Sequence, residues 1–171
     1  MDVVGIAGGF AEWANSLIIT WGYLGLFLVE VIGSMSIFFP VPAFAVNFFL
    51  GGMPGFNPWI VGMVAGLGSA IGEMTSYILG RGGRRIVNKK HLKLLNKARK
   101  WIETHGAFVI IVLFAATPLP FDIIGILAGM MNYNIKRFFL ATLTGKTLAG
   151  LILAWAGYYS VGWILTVFGF C

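Results

Sequence analysis

Four ionisable side chains stand inside stretches of sequence that are otherwise apolar: Glu30, Glu73, Asp122 and Lys146. A charged group facing lipid at a bilayer centre costs at least ~2.5–3.5 kcal/mol, so each of the four should face protein or water and have a partner. Three acids and one base of this kind can carry protons or hold a charged headgroup. Glu73 lies seven residues before Gly80 and Lys146 nine residues after Arg137, ~10 Å and ~14 Å in from one face, so the two are at a depth to pair. Machinery for bond breaking is missing. There is no GxSxG, HExxH or P-loop motif and no Cys/His spacing for a metal, and His91 and His105 sit among charges, so neither an enzyme nor a cofactor is expected.

Two further signals surround these residues. Pro40-Val41-Pro42 and Pro118-Leu119-Pro120 share one form and stand 78 residues apart, and the same offset sets Gly51 opposite Gly129 and Met53 opposite Met131. The chain therefore reads as two repeats. Asp122 comes two residues after the second proline pair, where an acid can cap the half-helix that starts there or carry a proton. Glu30 is expected near the outer end of its helix, within reach of interfacial water. Arg81, just after Gly80, serves as a positive anchor or as a ligand for an anionic headgroup.

The elements that position these groups follow from composition and charge. Of 171 residues, 58% are hydrophobic and 11% charged, too few polar side chains to cover a water-soluble globule. The net charge of +6 is not a nucleic-acid surface, because nine of the twelve Lys and Arg lie between Arg81 and Lys100. By the positive-inside rule, residues 81–100 and the pair Lys136-Arg137 both belong on the cytoplasmic side. Only residues 106–135 separate the end of the first group from that pair, too few for two spans of ~20 residues each. A re-entrant hairpin with Pro118 and Pro120 at its tip meets both conditions, and the repeat places an opposed one with Pro40 and Pro42 at its tip.

The expected architecture is one all-α integral membrane domain, an inverted repeat of amphipathic interfacial helix, re-entrant helical hairpin and transmembrane helix. Repeat 1 covers about 6–80, with an interfacial helix at 10–26, a hairpin at 28–53 and a span at 58–80. Repeat 2 covers about 84–158, with an interfacial helix at 88–104, a hairpin at 106–135 and a span at 137–158. Residues 159–171 form an apolar C-terminal tail. A plain bundle of four or five helices with proline kinks is the simpler alternative. No basic residue precedes the first apolar stretch, so no cleaved signal peptide is expected.

Gly66-Leu67-Gly68-Ser69-Ala70-Ile71-Gly72, followed by Tyr77-Ile78-Leu79-Gly80-Arg81-Gly82-Gly83, resembles the glycine-rich helix and Gly-Arg ending of the DedA family, also called the SNARE-associated Golgi protein or VTT-domain family. The resemblance continues in Glu30 before Pro40-Val41-Pro42, in Thr117-Pro118-Leu119-Pro120, in Ala128-Gly129-Met130 and in Phe138. It implies two opposed re-entrant hairpins and a role in moving lipids across the bilayer, as polyprenyl-phosphate recycling or proton-dependent envelope homeostasis in bacterial relatives and as phospholipid scrambling in eukaryotic ones. Many bacterial members carry an acid just after the first proline motif and arginines around the second. Here the first reads Pro42-Ala43-Phe44 and the second has no Arg, which marks a divergent branch.

The expectation is a lipid translocase, scramblase or flippase, coupled or not to protons, in the cell membrane. Asp122, Glu73 and Glu30 would be its proton or transport residues and Arg81 and Lys146 its headgroup ligands. Its partners would be membrane lipids, with an anionic or polyprenyl phosphate headgroup, and protons. Nucleic acid is not among them, and the oligomeric state is open, a homodimer included. Two other readings stand beside it: a proton- or cation-coupled carrier of a small solute, and a membrane scaffold that transports nothing.

Overall fold

A computed structural model describes residues 3–35, 43–84, 106–117 and 121–168, and among these every regular element is an α-helix. They are α1 (Val3–Trp21), α2 (Tyr23–Met35), α3 (Ala43–Gly52), α4 (Pro58–Gly72), α5 (Met74–Gly83), α6 (Ala107–Ala116), α7 (Phe121–Met130) and α8 (Ile135–Phe168). Four prolines (Pro40, Pro42, Pro118 and Pro120), the interfacial helix expected at 88–104 and the basic cluster beyond Arg84 lie outside the described residues.

Local chemistry accounts for the helix ends. Asn57 caps α4, its Oδ1 accepting the Trp59 N–H at 2.9 Å, and Pro58 follows at the position where a missing N–H is harmless. Asn134 caps α8 in the same way, accepting from the N–H groups of Lys136 and Arg137 at 3.0 and 3.1 Å. Gly22, with φ of +57°, breaks the chain between α1 and α2. The helix expected over 10–26 thus starts earlier, ends at Trp21, and yields residues 23–26 to the next helix.

The stretch expected as one span over 58–80 is two helices joined end to end at Glu73. The hydroxyl groups of Thr75 and Ser76 donate to the carbonyls of Gly72 and Glu73, at 2.7 and 2.8 Å, and the Tyr77 N–H reaches the Glu73 carbonyl only at 3.4 Å. Side-chain hydroxyls that compete for main-chain acceptors loosen a helix at this kind of position. From Trp59 to Arg81 the joined pair still rises ~33 Å, enough to cross a bilayer core. In α8 the run Ile135–Ser160 is long and apolar enough to cross by itself, and it is the one such run among the described residues. The helix continues to Phe168, through much of the expected tail.

The packing has two halves. α2 lies on α4 and α6 on α8, while α3 crosses to α8 and α7 crosses to α5. Glycines make the crossings close: a Cβ at Gly51 would run into the Ala154 backbone and one at Gly157 into that of Phe48, and likewise Gly129 meets Tyr77 and Gly80 meets Ile126. These contacts match across the two halves, since the residue numbers differ by 78 in the short helices and by 77 in the long ones. The long helices run in opposite senses. Arg81, Arg84, Lys136 and Arg137 gather at one end, and Trp59, Trp155, Tyr158 and Tyr159 at the other, with the Trp59 and Trp155 rings 5.5 Å apart.

Between the ends the outer surface is apolar: Leu67, Leu113, Ile123, Leu148 and Ile152 all stand exposed. A chain in water would bury them, and one in lipid has no reason to.

Candidate functional site

The short helices carry the acids to the middle. α6 runs from the basic end, where Ala107 packs with Tyr133, to the level of Gly145, which a Cβ would press against Val112 and Ala115. α7 starts at that level and runs back until the Met130 carbonyl accepts from Arg84 Nη1 at 2.6 Å. The first residues of α7 therefore meet the middle of α8. Phe121 lies under the Lys146 ammonium, 5.4 Å from the ring centre, and Asp122 follows it, half-buried. In the other half α2 starts at the aromatic end, where the Tyr23 hydroxyl accepts the Asn57 N–H at 2.7 Å, and brings Glu30 to the face of α4.

Lys146 is the hub. Its Nζ is 2.8 Å from Glu73 Oε1, the pairing their depths imply, and its charge also acts on Glu30 and on Asp122. Glu30 is wholly buried, accepts from the Ser69 hydroxyl through Oε2, and has the Asn47 side chain beside it. That differs from the expected contact with interfacial water. Because α2 begins at Tyr23 instead of near Leu28, Glu30 lies seven residues, ~10 Å, along its helix. Arg81 stays apart from this cluster, exposed on the last turn of α5 and eight residues, ~12 Å, from Glu73.

Two uncharged residues that the sequence did not single out belong to the site, Asn47 and Ser69, both buried beside Glu30, and Thr142, also buried, lies one turn before Lys146 on α8. Five buried oxygens (Glu30 Oε1, Asn47 Oδ1, Glu73 Oε2, Asp122 Oδ1 and Thr142 Oγ1) have no hydrogen-bond partner among the described residues. Every one can accept, and the ammonium of Lys146 is bonded to the other oxygen of Glu73. Such a site can hold protons, and it can hold a cationic or zwitterionic group that enters. Among the described residues no group of acids, Cys or His has the arrangement of a metal site.

The Ser69 contact can be tested alone. Ser69→Ala takes away the donor to a wholly buried carboxyl, which typically costs ~1–3 kcal/mol, so the purified variant should unfold at a lower temperature than the parent. An unchanged unfolding temperature would mean that Glu30 is held by other groups.

The family model described as VTT domain matches residues 39–159, which includes the spanning helices and all the acids of the cluster except Glu30. The chain belongs to the VTT-domain family. Its sequence is 33% identical over 100 residues to the vacuole membrane protein KMS2 of Arabidopsis thaliana, a match covering 48% of this chain and 24% of that one. Over 107 residues it is 27% identical to the inner membrane protein YqaA of Escherichia coli strain K12, with 63% and 72% covered. Over 138 residues it is 24% identical to the protein MJ0201 of Methanocaldococcus jannaschii, with 80% and 84% covered. The chain thus aligns with about a quarter of the plant protein's length. No solved structure matches it. The VTT domain is a membrane protein, as the exposed apolar band already required.

Proposed function

We propose that this VTT domain moves lipids across a membrane by passing the headgroup through the cluster around Lys146 while the acyl chains remain in the bilayer. The observation that carries the reading is the cluster itself: one ammonium at mid-depth bonds the Glu73 carboxyl and its charge reaches two more carboxyls, Glu30 and Asp122, from both halves of the chain, in a bundle whose outer face is apolar. Groups so costly to place in a membrane are retained for a path or a relay. One cation and three carboxyls make the cluster neutral when two protons are bound, so headgroup passage and proton movement can be coupled there. Lys146 would exchange Glu73 for a passing phosphate.

The architecture supports this reading. α6 and α7 enter from the basic end and return to it, α2 and α3 have the matching relation to the aromatic end, and the glycine crossings repeat at one offset. Two opposed re-entrant hairpins in an inverted repeat have these properties, with the basic end cytoplasmic and the chain crossing the cell membrane more than once.

The experiment is lipid flip in vesicles containing the purified full chain, followed by chemical bleaching of a fluorescent phospholipid in the outer leaflet. Bleaching should go beyond the outer-leaflet share at an accelerated rate. Asp122→Asn and Glu73→Gln should each slow it roughly tenfold, equivalent to ~1.4 kcal/mol in the barrier. Rates equal to those of empty vesicles, across several headgroups including a polyprenyl phosphate, would sink the proposal. A second reading, a proton-coupled carrier of a small solute, draws on the burial of Glu30 and Glu73, which seals them from lipid. Uptake driven by an imposed pH gradient, without flip, would favour it.

A further inference from the structure

We infer that a cavity at the basic end, between α5 and the turn joining α7 to α8, is a docking site for the phosphate headgroup of an anionic phospholipid. Its volume is about 440 Å³, inside the ~300–1,000 Å³ range of small-molecule sites. Arg81, Arg84 and Asn132 supply its polar lining, and Tyr77, Ile78 and Ile135 its apolar lining. The inference rests on the lipid reading above for its place in a transport path, though not for the binding itself.

The walls are fixed by bonds between the two halves. Arg84 donates from Nη1 to the Met130 carbonyl, and the Tyr77 hydroxyl donates to the Tyr133 carbonyl, both at 2.6 Å. Between these anchors the chain leaves α7 through Asn132 in the left-handed region, φ 55°, with the Tyr133 N–H bonded to the Ala128 carbonyl and the Asn132 N–H to that of Gly129. This is the turn that ends many helices by reusing their orphan carbonyls. The lining is consequently set before a ligand arrives.

Charge selects an anion. No Asp or Glu occurs between Glu73 and Glu103, nor anywhere after Asp122, so both segments that form the cavity are free of acids. Arg81 is exposed and has no hydrogen-bond or ionic partner among the described residues. A guanidinium fork matches phosphate geometry.

The apolar half selects an amphiphile over free phosphate. Ile78 and Ile135 are 59% and 41% exposed, and Leu79 beside them 56%, so the cavity opens onto the lipid-facing surface. An acyl chain can lie there while the phosphate stays at Arg81. Arg81, at the far end of α5, is eight residues, ~12 Å, from Glu73 at the joint where that helix begins, so the docked phosphate is one helix length from the charged centre.

Native mass spectrometry of the full chain in neutral detergent reads binding directly, with dioleoyl phosphatidic acid as probe, dioleoyl phosphatidylcholine as control and inorganic phosphate as competitor. Phosphatidic acid should bind at least about tenfold more tightly than phosphatidylcholine, and Arg81→Gln should remove about that factor while Arg81→Lys keeps part of it. Lys136→Gln, a basic residue outside the cavity, should bind as the parent does. Unfolding temperatures of the variants, expected to be unchanged, separate lost binding from lost structure. Equal affinity for the two lipids, or an Arg81→Gln variant that still binds fully, overturns the site. Competition by inorganic phosphate as strong as by the whole lipid overturns the lipid assignment in favour of free phosphate. Arginine-dependent binding without flip would end the transport reading and leave the docking site standing.

Discussion

Replacing Lys146 by Met should destabilise this protein by about 3–5 kcal/mol, the usual result of removing one partner from a buried ion pair. That is a large part of the ~5–15 kcal/mol that holds a typical fold. The Glu73 carboxylate, 2.8 Å from Nζ and with its other oxygen unpartnered among the described residues, would keep its burial and lose its counter-charge. Glu30 and Asp122 would lose the cation that acts on both, and Phe121 the ammonium above its ring. Thermal unfolding of the purified variant in detergent is the measurement. Adding Glu73→Gln to Lys146→Met should recover much of the loss, because the second change removes the charge that the first left alone, while lipid flip stays abolished. The idea fails if Lys146→Met unfolds at the parent's temperature, or if the second substitution deepens the loss.

How far this centre was legible in the sequence depends on the kind of residue. A carboxylate or ammonium in an apolar run stands out because its cost in lipid is large, and the helical rise then gives its depth, which is why the Glu73 and Lys146 pairing follows from counting to Gly80 and Arg137.

Asn47, Ser69 and Thr142 were not legible. Uncharged polar residues are inexpensive enough in a helix to occur on any face, and only the folded chain shows that two of them, Asn47 on α3 and Ser69 on α4, converge on Glu30. The joint at Glu73 was hidden as well, since it arises from the hydroxyl groups of Thr75 and Ser76 turning back on the helix, a choice that hydropathy does not encode. Glu30 was misplaced in depth for one reason, the break at Gly22. A glycine inside a helical pattern reads equally as tolerated or as a terminus, and the choice shifts every later residue of α2 by more than a turn.

The second large effect is expected at the glycine crossings. Gly51→Val and Gly129→Val should each prevent the native packing, because the atoms a Cβ meets are the main chain of Ala154 in one case and of Tyr77 and Arg81 in the other, and main chain cannot rotate away as a side chain can. Overpacking of a core typically costs ~1–3 kcal/mol where neighbours can adjust, so these two should exceed that range and reduce recovery of monodisperse protein to a small fraction of the parent's. In membranes close approach of this sort replaces the hydrophobic effect as the source of helix association, so its loss is not made good elsewhere. Gly9→Ala is the control. Nothing lies within 4 Å of a Cβ there, and alanine in place of glycine inside a helix should gain up to ~1 kcal/mol. The pair also tests the repeat. If α3 on α8 and α7 on α5 are one crossing used twice, the two valine variants should lose stability to a similar degree, and the milder Gly51→Ala and Gly129→Ala should rank alike. A wide disparity, with one tolerated and the other not, would mean that the shared offset is a coincidence of spacing and that only one half of the molecule depends on close contact. Valine at both positions without loss of folded protein would remove the crossings as the cause of the packing altogether.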